Sequence, residues 1–162
     1  MSIELSICIP TLNRAGFIGE TIDSIVAQLE PGVEVVIVDG GSTDGSDLIV
    51  ESYVALFPQI RYVQRGACEK ASNAGFDRDC SHAVQLATGT HCWLMTDDDV
   101  LNPGAIARVL KAVRAGHDIA IVSCEVRDLQ LKKQLLRVRQ DIAHDYVLST
   151  YDWEGFFCMV ID

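Results

Sequence analysis

The chain has 162 residues, 23 acidic against 13 basic side chains for a net charge of −10, and a mean hydropathy of +0.20. This length suits one compact domain with a sizeable core, and so acidic a composition argues against nucleic-acid binding, which needs basic side chains to neutralise phosphates. No apolar stretch reaches the roughly 20 residues of a membrane span, and the N-terminus lacks the basic start of a secretory signal, so a cytoplasmic domain is expected.

The first half of the chain alternates short apolar runs with helical patterns. Residues 5–9 predict a strand that ends at Pro10, and apolar residues every three to four positions from Ile18 to Leu29 predict a helix. Residues 35–38 predict a second strand, apolar throughout as in a sheet covered on both faces. A further helical stripe follows and consists of Leu48, Ile49, Tyr53 and Leu56.

The same alternation continues beyond residue 60. Residues 60–64 predict a third strand, residues 65–77 a polar loop, and residues 79–87 a helix that stops at Gly89. Residues 92–95 predict a fourth strand. This β-α-β-α order predicts an α/β fold with a mainly parallel sheet and helices on both faces.

The next helical pattern is opened by Pro103, which suits the first turn of a helix, and closed by Gly116. Its apolar stripe consists of Ile106, Val109, Leu110 and Val113. Residues 119–122 predict a fifth strand. Residues 126–140 predict either a hairpin that turns at Lys132-Lys133 or a helix.

Six cysteines occur at long, irregular spacings. Cys8, Cys92 and Cys124 lie in apolar runs, which favours small buried hydrophobic residues in a reducing compartment. A zinc site or a disulfide set is the alternative. The apolar ending at 151–161 indicates a fragment of a longer protein, and its exposure would favour a homo-oligomer.

Polar segments follow three of the predicted strands, and they carry the chemistry of the sequence. Residues 10–14 follow the first strand, residues 39–45 the second, and residues 96–99 the fourth. Ligands of open α/β sheets bind beyond the carboxyl ends of parallel strands. We therefore expect the three segments to meet and form one site.

The run Asp97-Asp98-Asp99 is the sharpest of these features. Three adjacent carboxylates repel one another unless a cation relieves them, and oxygen ligands suit Mg²⁺ or Mn²⁺. Such an ion would leave positions open for the phosphate oxygens of a ligand. The alternative is an aspartate that caps the helix beginning near Pro103.

The loop at 39–45 is rich in glycine and precedes a helix, so its backbone could approach a nucleotide. Asp39 could accept hydrogen bonds from a base or ribose, and the alternative is a turn held by Asx-type bonds. Arg14, Lys70 and Arg78 lie near these loops. Each could draw a diphosphate or form a surface ion pair, and the ion pair is favoured for Arg14 and Lys70.

The combination of these motifs resembles family 2 glycosyltransferases of the Rossmann-like GT-A fold. The resemblance covers roughly residues 4–125 and rests on Pro10-Thr11-x-Asn13-Arg14, Val38-Asp39-Gly40-Gly41-Ser42-Thr43-Asp44, Ala87-x-Gly89 and Asp97-Asp98-Asp99, a DXD-type motif. Phe76-Asp77-Arg78-Asp79 and the residues 92–99 are most similar to the bacterial abequosyltransferase-like branch, which builds O-antigen-type surface polysaccharide.

The resemblance implies inverting transfer of a sugar from a nucleotide-diphospho-sugar to a saccharide or lipid-linked saccharide, with peripheral contact at the inner face of the membrane. It implies that Thr11 and Asp39 contact the base, that Arg78 lies near the base or diphosphate, and that Asp97 lies near the ribose. Asp98 and Asp99 would hold Mn²⁺ or Mg²⁺. The implied donor site comprises Pro10, Thr11, Asn13, Arg14, Asp39, Gly41, Ser42, Arg78 and Asp97. Gly40 stands where many members have a second aspartate, which puts one nucleotide contact in doubt.

An inverting transferase also needs a general base for the acceptor hydroxyl. Asp152 and Glu154 are the late carboxylates beside aromatic residues, but the base is expected beyond residue 162. Residues 1–162 are then one nucleotide-sugar-binding domain without the acceptor-binding part. The alternatives are a non-catalytic nucleotide-sugar-binding module, and a phosphatase or nucleotidyltransferase on a similar sheet.

Overall fold

The computed structural model describes residues 2–65, 75–118, 120, 122, 125–128 and 131–137. By their internal contacts the residues form two compact units, Met1–Ala120 and Ile121–Asp162. Within the described ranges, no helix is both long and apolar enough to cross a membrane.

The first unit alternates strands and helices along the chain. Its elements are β1 (Leu5–Thr11), α1 (Ile18–Val26), β2 (Val33–Asp39), α2 (Ser46–Val54), β3 (Ile60–Gln64), α3 (Gly75–Leu86), β4 (His91–Leu94) and α4 (Ala105–Arg114). All neighbouring strands pair in parallel, in the order β3-β2-β1-β4. The predicted α/β class with a parallel sheet is confirmed, and the carboxyl ends of β1, β2 and β4 meet at one edge.

Both faces of this sheet are covered. On one face, strand residues such as Ile7 and Ile37 pack with Ile22 of α1, Val50 of α2 and Leu110 of α4. On the other face, the alternate residues Cys8 and Val38 pack against Ala83 of α3. Each completely buried aliphatic side chain contributes roughly 1.5–3 kcal/mol to folding. The prediction of helices on both faces is confirmed.

Pro10 does not end the first strand, as the sequence predicted, because β1 continues to Thr11. The carbonyl of Cys8 faces β4 and accepts from the N–H of Met95 at 3.0 Å. The backbone nitrogen of Pro10, two residues later, also points toward β4. The pairing of β1 with β4 has already ended there, at Cys8 and Leu94. The missing N–H of proline therefore removes no bond from the sheet.

The buried face of α2 differs from the predicted stripe. Leu48 and Leu56 are 69% and 73% exposed, whereas Val50 is completely buried. Ile49 and Tyr53 pack against the core beside it. The reason is geometric: Leu56 lies beyond the end of the helix, and positions 49, 50 and 53 already form one helical face.

Helix α3 begins at Gly75, four residues before its predicted start, so residues 75–77 are helical and not loop. Its polar first turn hides the helical pattern, and packing onto β1 and β2 stabilises it. The helix ends at Leu86, three residues before Gly89, so Gly89 does not terminate it. Gly89 instead allows a close approach to β1. A Cβ on Gly89 would lie 2.9 Å from the backbone nitrogen of Ser6, so β1 requires glycine there.

Helix α4 begins after Pro103, which lies outside the helix and not in its first turn. Gly104 precedes the helix with φ of 82°, a left-handed conformation that interrupts the helical path. Ile106, Val109 and Leu110 are buried as predicted. The predicted end at Gly116 is also confirmed, with φ of 84° at that residue.

The predicted strand at 119–122 is not formed at Ala120 and Val122, and its other residues lie outside the described part. Cys8 is buried, but Cys92 is exposed, contrary to prediction. Cys92 lies on β4, which within the described residues is the end strand of the sheet and pairs only with β1. Cys124 lies outside the described residues.

The second unit contains an antiparallel hairpin of β5 (Glu125–Arg127) and β6 (Gln134–Arg137). Asp128 holds the turn, since its Oδ1 accepts from the N–H groups of Lys132 at 2.8 Å and Lys133 at 3.1 Å. Of the two alternatives from the sequence, the hairpin turning at Lys132-Lys133 is confirmed and the helix is excluded for these residues.

Candidate functional site

The loop after β1 and the loop after β2 are hydrogen-bonded to each other. The N–H of Asn13 donates to Ser42 Oγ at 2.8 Å, and the N–H of Arg14 donates to Ser46 Oγ at 2.9 Å. In return, Asn13 Oδ1 accepts from the N–H of Thr43 at 2.9 Å. Asn13 has φ of 56°, a conformation that asparagine adopts more readily than most residues. Two of the predicted site segments therefore form one connected structure.

Asp39 lies at the centre of the second loop and is completely buried. Its Oδ1 accepts from the N–H groups of Gly41 and Ser42 at 2.8 and 2.7 Å and from Ser42 Oγ at 2.8 Å. Its Oδ2 accepts from the hydroxyl of Tyr62 at 2.7 Å. This is the Asx-type turn that the sequence offered as an alternative. Nucleotide contacts by Asp39, Gly41 and Ser42 stay a prediction.

The acidic run follows β4 and is held by Arg14. Asp97 is buried, whereas Asp98 and Asp99 are exposed. The Nε of Arg14 lies 3.3 Å from Asp97 Oδ1, and its Nη2 lies 3.9 Å from Asp98 Oδ2. Helix α4 is preceded by Gly104 without a side-chain capping bond, so the acidic run does not cap that helix.

The surroundings of Asp97, the buried carboxyl of this run, shift its pKa. Burial raises its pKa, the hydroxyl of Thr11 and the guanidinium of Arg14 lower it, and the charge of Asp98 raises it again, with a net increase. Its backbone carbonyl accepts from Thr21 Oγ1 at 2.9 Å, which fixes the run against α1. A cation close to this carboxyl would lower the cost of keeping it ionised.

These residues fit a divalent cation held by few protein ligands. Among the described residues, no three His, Cys, Asp or Glu side chains converge into a metal-binding cluster. The exposed carboxylates of Asp98 and Asp99 supply hard oxygen donors, and Arg14 already places a positive charge against the run. Mg²⁺ in particular binds through one or two carboxylates together with water and phosphate oxygens.

A cleft of about 160 Å³ opens at this edge of the sheet. It is lined by Pro10, Thr11, Leu12, Arg14, Phe76, Asp79 and Asp97. Four of the predicted donor-site residues are therefore brought together, whereas Asn13, Asp98 and Asp99 do not line the cleft. The sequence missed Phe76 and Asp79, which are three residues apart on one face of α3. Their shared face would have been visible had the helix been predicted to begin at Gly75.

Asp79 forms a buried ion pair with Arg65. The Nη2 of Arg65 donates to Asp79 Oδ2 at 3.1 Å, its Nε contacts Oδ1, and both side chains are less than a tenth exposed. Burial raises the pKa of Asp79, and the charge of Arg65 lowers it, with a net increase. Arg65 was predicted as the first residue of a polar loop, but it is 8% exposed.

Asp39, Gly41 and Ser42 of the predicted donor site do not line the cleft either. Four further residues from the sequence analysis lie at another opening or outside the described residues. Arg78 lines a separate opening of about 360 Å³ on α3, together with Ser81, His82 and Gln85. Lys70 lies outside the described part of the chain, and so do the two candidates for the general base, Asp152 and Glu154.

Comparison with known proteins identifies similar sequences. Residues 6–158 match the family described as glycosyl transferase family 2. The chain is 31% identical over 105 residues to abequosyltransferase RfbV of Salmonella typhimurium, covering 64% of this chain and 30% of that protein. It is 28% identical over 132 residues to chondroitin synthase of Escherichia coli, covering 82% of this chain and 18% of the relative. The chain thus spans less than a third of either relative.

Solved structures of similar fold include two with bound ligands. Residues 1–349 of S. aureus TarS in complex with UDP-GlcNAc match with a TM-score of 0.62 and 25% identity, over 70% of this chain and 32% of that one. The mannosyltransferase PcManGT from Pyrobaculum calidifontis, in complex with GDP-Man and Mn²⁺, matches with a TM-score of 0.61 and 25% identity, over 78% and 36%. The predicted GT-A fold is confirmed.

Proposed function

Because this chain belongs to glycosyltransferase family 2, we propose that its cleft binds a nucleotide-diphospho-sugar as the donor for sugar transfer. The observation that carries the proposal is the contact of Arg14 with both Asp97 and Asp98 at the edge where β1, β2 and β4 end. One cation and several carboxylates at a cleft suit a diphosphate that arrives with a divalent ion.

In this proposal Asp98 and Asp99 hold Mn²⁺ or Mg²⁺, and Asp97 lies near the ribose. The bound ion would act as a Lewis acid on the departing diphosphate. Arg14 exchanges its carboxylate partners for a phosphate oxygen, for which a guanidinium is well suited. The PcManGT structure, which contains GDP-Man and Mn²⁺, supports a divalent ion beside the nucleotide-sugar.

The acceptor is a saccharide or a lipid-linked saccharide, and the product belongs to a bacterial surface polysaccharide of the O-antigen type. The similarity to abequosyltransferase RfbV supports this class of product. Inversion at the anomeric carbon requires a base that deprotonates the acceptor hydroxyl. The identity of that base stays a prediction from the sequence. The location of the protein at the cytoplasmic face of a membrane also stays a prediction.

Calorimetry on the complete chain tests donor binding. We expect UDP-, CDP- or GDP-sugars to bind in the presence of Mn²⁺ or Mg²⁺ and to lose at least tenfold in affinity with EDTA. Asp98→Asn should cause a similar loss because it removes a metal ligand. Asp118→Asn is the matched control, since it removes an exposed carboxylate after α4. Tight donor binding that EDTA and Asp98→Asn leave unchanged would overturn the metal role.

A hydrolysis assay separates an enzyme from a non-catalytic module. Release of free sugar from any bound donor, dependent on the same metal, supports a transferase. Such turnover counts against the non-catalytic module, whereas binding without turnover fits both the module and a donor-binding part that lacks its general base.

A further inference from the structure

The segment 126–140 has a charge opposite to that of the rest of the chain. It contains five of the 13 basic side chains and only one of the 23 acidic ones, in a protein with a net charge of −10. The cleft is lined by none of these residues. Lysine and arginine are mostly exposed in any protein, so the charge alone does not indicate a partner.

The exposed residues of the β5–β6 hairpin combine positive charge with apolar side chains. Lys132 and Lys133 are exposed at the turn, and Arg127 is exposed at the end of β5. Leu131 is 38% exposed and Leu135 is 55% exposed. Apolar residues scattered singly over a surface need no explanation. These two leucines, however, lie on either side of a pair of lysines.

The acidic side chain of this segment holds the backbone of the turn. Asp128 is half-buried, and its Oδ1 accepts from the N–H groups of Lys132 and Lys133. Its backbone N–H donates to the carbonyl of Lys133 at 2.9 Å, and its carbonyl accepts from the N–H of Leu131 at 2.8 Å. These bonds close the turn through backbone groups, so the side chains of both lysines stay exposed to solvent.

Leu131 adopts a backbone conformation that leucine avoids. Its φ is 54°, in the left-handed region where glycine is common and a bulky side chain is an outlier. The carbonyl of Leu131 accepts from Nη1 of Arg127 at 3.2 Å, which helps to hold the turn in this conformation. Residues held in such regions cluster at functional sites. Glycine would suit the turn better, which indicates that the leucine side chain has a use other than folding the turn.

A tip that is both basic and apolar suits the surface of a phospholipid bilayer. Lysine ammonium groups attract anionic headgroups, and leucine side chains enter the boundary between headgroups and acyl chains. A nucleic acid would neutralise the lysines but leave the leucines in water. An apolar protein surface would cover the leucines but desolvate the lysines. A bilayer accommodates both, because its phosphates lie directly above hydrocarbon.

We propose that the turn of the β5–β6 hairpin is a docking surface for an anionic phospholipid bilayer, with Lys132 and Lys133 at the lipid phosphates. Leu131 and Leu135 enter the interface below the phosphates. The surface shares no residue with the cleft, so docking requires no bound nucleotide. The proposal goes beyond sugar transfer, because it assigns the contact with lipid to particular residues and to anionic headgroups.

Sedimentation of the complete chain with vesicles measures the docking. We expect binding at low salt to vesicles of equal parts phosphatidylglycerol and phosphatidylcholine, although the net charge of −10 opposes it. Vesicles of phosphatidylcholine alone should bind about tenfold more weakly or less, because they lack the anionic headgroups. Added salt should weaken the binding to anionic vesicles by screening. Absence of binding to anionic vesicles at low salt would overturn the proposal.

The double variant Lys132→Gln with Lys133→Gln tests the position of the surface. One lysine near an anionic membrane raises the affinity roughly fivefold, so the double variant should bind about 25-fold more weakly. Arg108→Gln with Lys111→Gln is the matched control, since it removes the same charge from exposed positions of α4. The control should leave the affinity nearly unchanged. Equal losses in the two double variants would show that the hairpin is not the docking surface.

Leu131→Gly separates docking from folding. Glycine tolerates the left-handed φ, so thermal stability should stay the same or increase. Vesicle binding should weaken about tenfold, because the inserted apolar side chain is lost. Unchanged vesicle binding in this variant would contradict the insertion of Leu131. Light scattering without lipid tests a second copy as the partner, and a dimer that Leu131→Gly dissociates would overturn the proposal in favour of self-association.

Donor affinity with Mn²⁺, measured in the same variants, separates this proposal from the proposed function. Lys132→Gln with Lys133→Gln should leave the affinity for nucleoside diphosphates unchanged. A chain that binds anionic vesicles through the hairpin but binds no nucleotide would refute the proposed function and support the docking surface. A chain that binds nucleotides but no anionic vesicles would refute the docking surface alone.

Discussion

At the scale of single residues, one arginine offsets part of the negative charge of the acidic run. Arg14 contacts Asp97 and Asp98, and its guanidinium lies 5.8 Å from the centre of the Phe17 ring. The contact with the ring holds the side chain over the loop that carries it. A metal ion that binds to the carboxylates alone must compete with this internal cation, whereas a metal that arrives with a diphosphate offers Arg14 a new partner.

Arg14→Ala should therefore change two affinities in opposite directions. Mn²⁺ alone should bind about two- to fivefold more tightly, because the competing exposed ion pair is worth on the order of 1 kcal/mol or less. The complex of Mn²⁺ with UDP or GDP should bind more weakly, because a phosphate contact is lost. Calorimetry with metal alone and with both ligands measures the two effects. Arg14→Lys, which keeps the charge, should leave the affinity for metal alone nearly unchanged, and equal signs for the two effects in Arg14→Ala would contradict the exchange of partners.

At the scale of elements, Glu34 of β2 ties the turn between α3 and β4 to the sheet. Its Oε1 accepts from Ser6 Oγ at 2.7 Å, from the N–H of Thr88 at 2.6 Å and from Thr88 Oγ1 at 2.8 Å. Its Oε2 lies 3.4 Å from Nη1 of Arg61. The same Ser6 Oγ accepts from the N–H of Gly89 at 2.9 Å. One buried carboxylate thus fixes the start of β4, and with it the position of the acidic run.

Glu34→Gln should destabilise the protein at neutral pH by about 1–3 kcal/mol, the cost of weakening bonds to a buried charged group. Burial raises the pKa of Glu34, but the hydrogen bonds from Thr88, Ser6 and Arg61 lower it more. The pKa of Glu34 in the folded protein is therefore below its usual value of 4.5. A lowered pKa gives stability above the pKa of the unfolded chain, and this stability is lost as the pH falls through the folded value. The difference between Glu34→Gln and the unmodified chain should therefore shrink in acid.

Urea unfolding at pH 7 and at several values below pH 4.5 measures this difference. Glu20→Gln is the control, since Glu20 is an exposed carboxylate on α1. A destabilisation of the same size at every pH would show that the charge of Glu34 contributes nothing.

The elements that the sequence predicted correctly are those whose signal is local. Strand β2 is a mostly apolar run, and α1 and α4 have regular apolar stripes, so the local sequence pattern was enough. The beginning of α3 was missed because Phe76 is its first large apolar residue and faces the cleft, not the core. That error also concealed Asp79. Which carboxylate faces the cleft depends on packing between α3 and the loop after β2, and no local pattern contains this information.

At the scale of the whole molecule, every residue that lines the cleft belongs to the unit Met1–Ala120. The parallel sheet and both hydrophobic clusters belong to it as well. The net charge of −10 would repel an anionic ligand such as the proposed nucleotide-sugar. In the proposed complex, Arg14 and the divalent cation at the acidic run would supply the local positive charge that attracts it.

A variant that ends at Ala120 should consequently fold and keep the donor site. We expect a cooperative thermal transition and an affinity for nucleoside diphosphate with Mn²⁺ within about threefold of the complete chain, a difference below 1 kcal/mol. Circular dichroism and calorimetry check the two expectations. A folded variant that binds no nucleotide would mean that residues after 120 contribute to the site.

The close approach of Gly40 to the Asp79 carboxylate also restricts how this protein can evolve. A Cβ at position 40 would lie 2.8 Å from Asp79 Oδ2, so a side chain there requires the carboxylate to shift, and we expect substitutions at the two positions to be epistatic. Descendants should therefore keep the pair Gly40 and Asp79 or exchange both together. The order of the two substitutions should matter, because losing the carboxylate first leaves the buried Arg65 without Asp79, whereas adding a side chain first displaces the ion pair of Asp79 and Arg65.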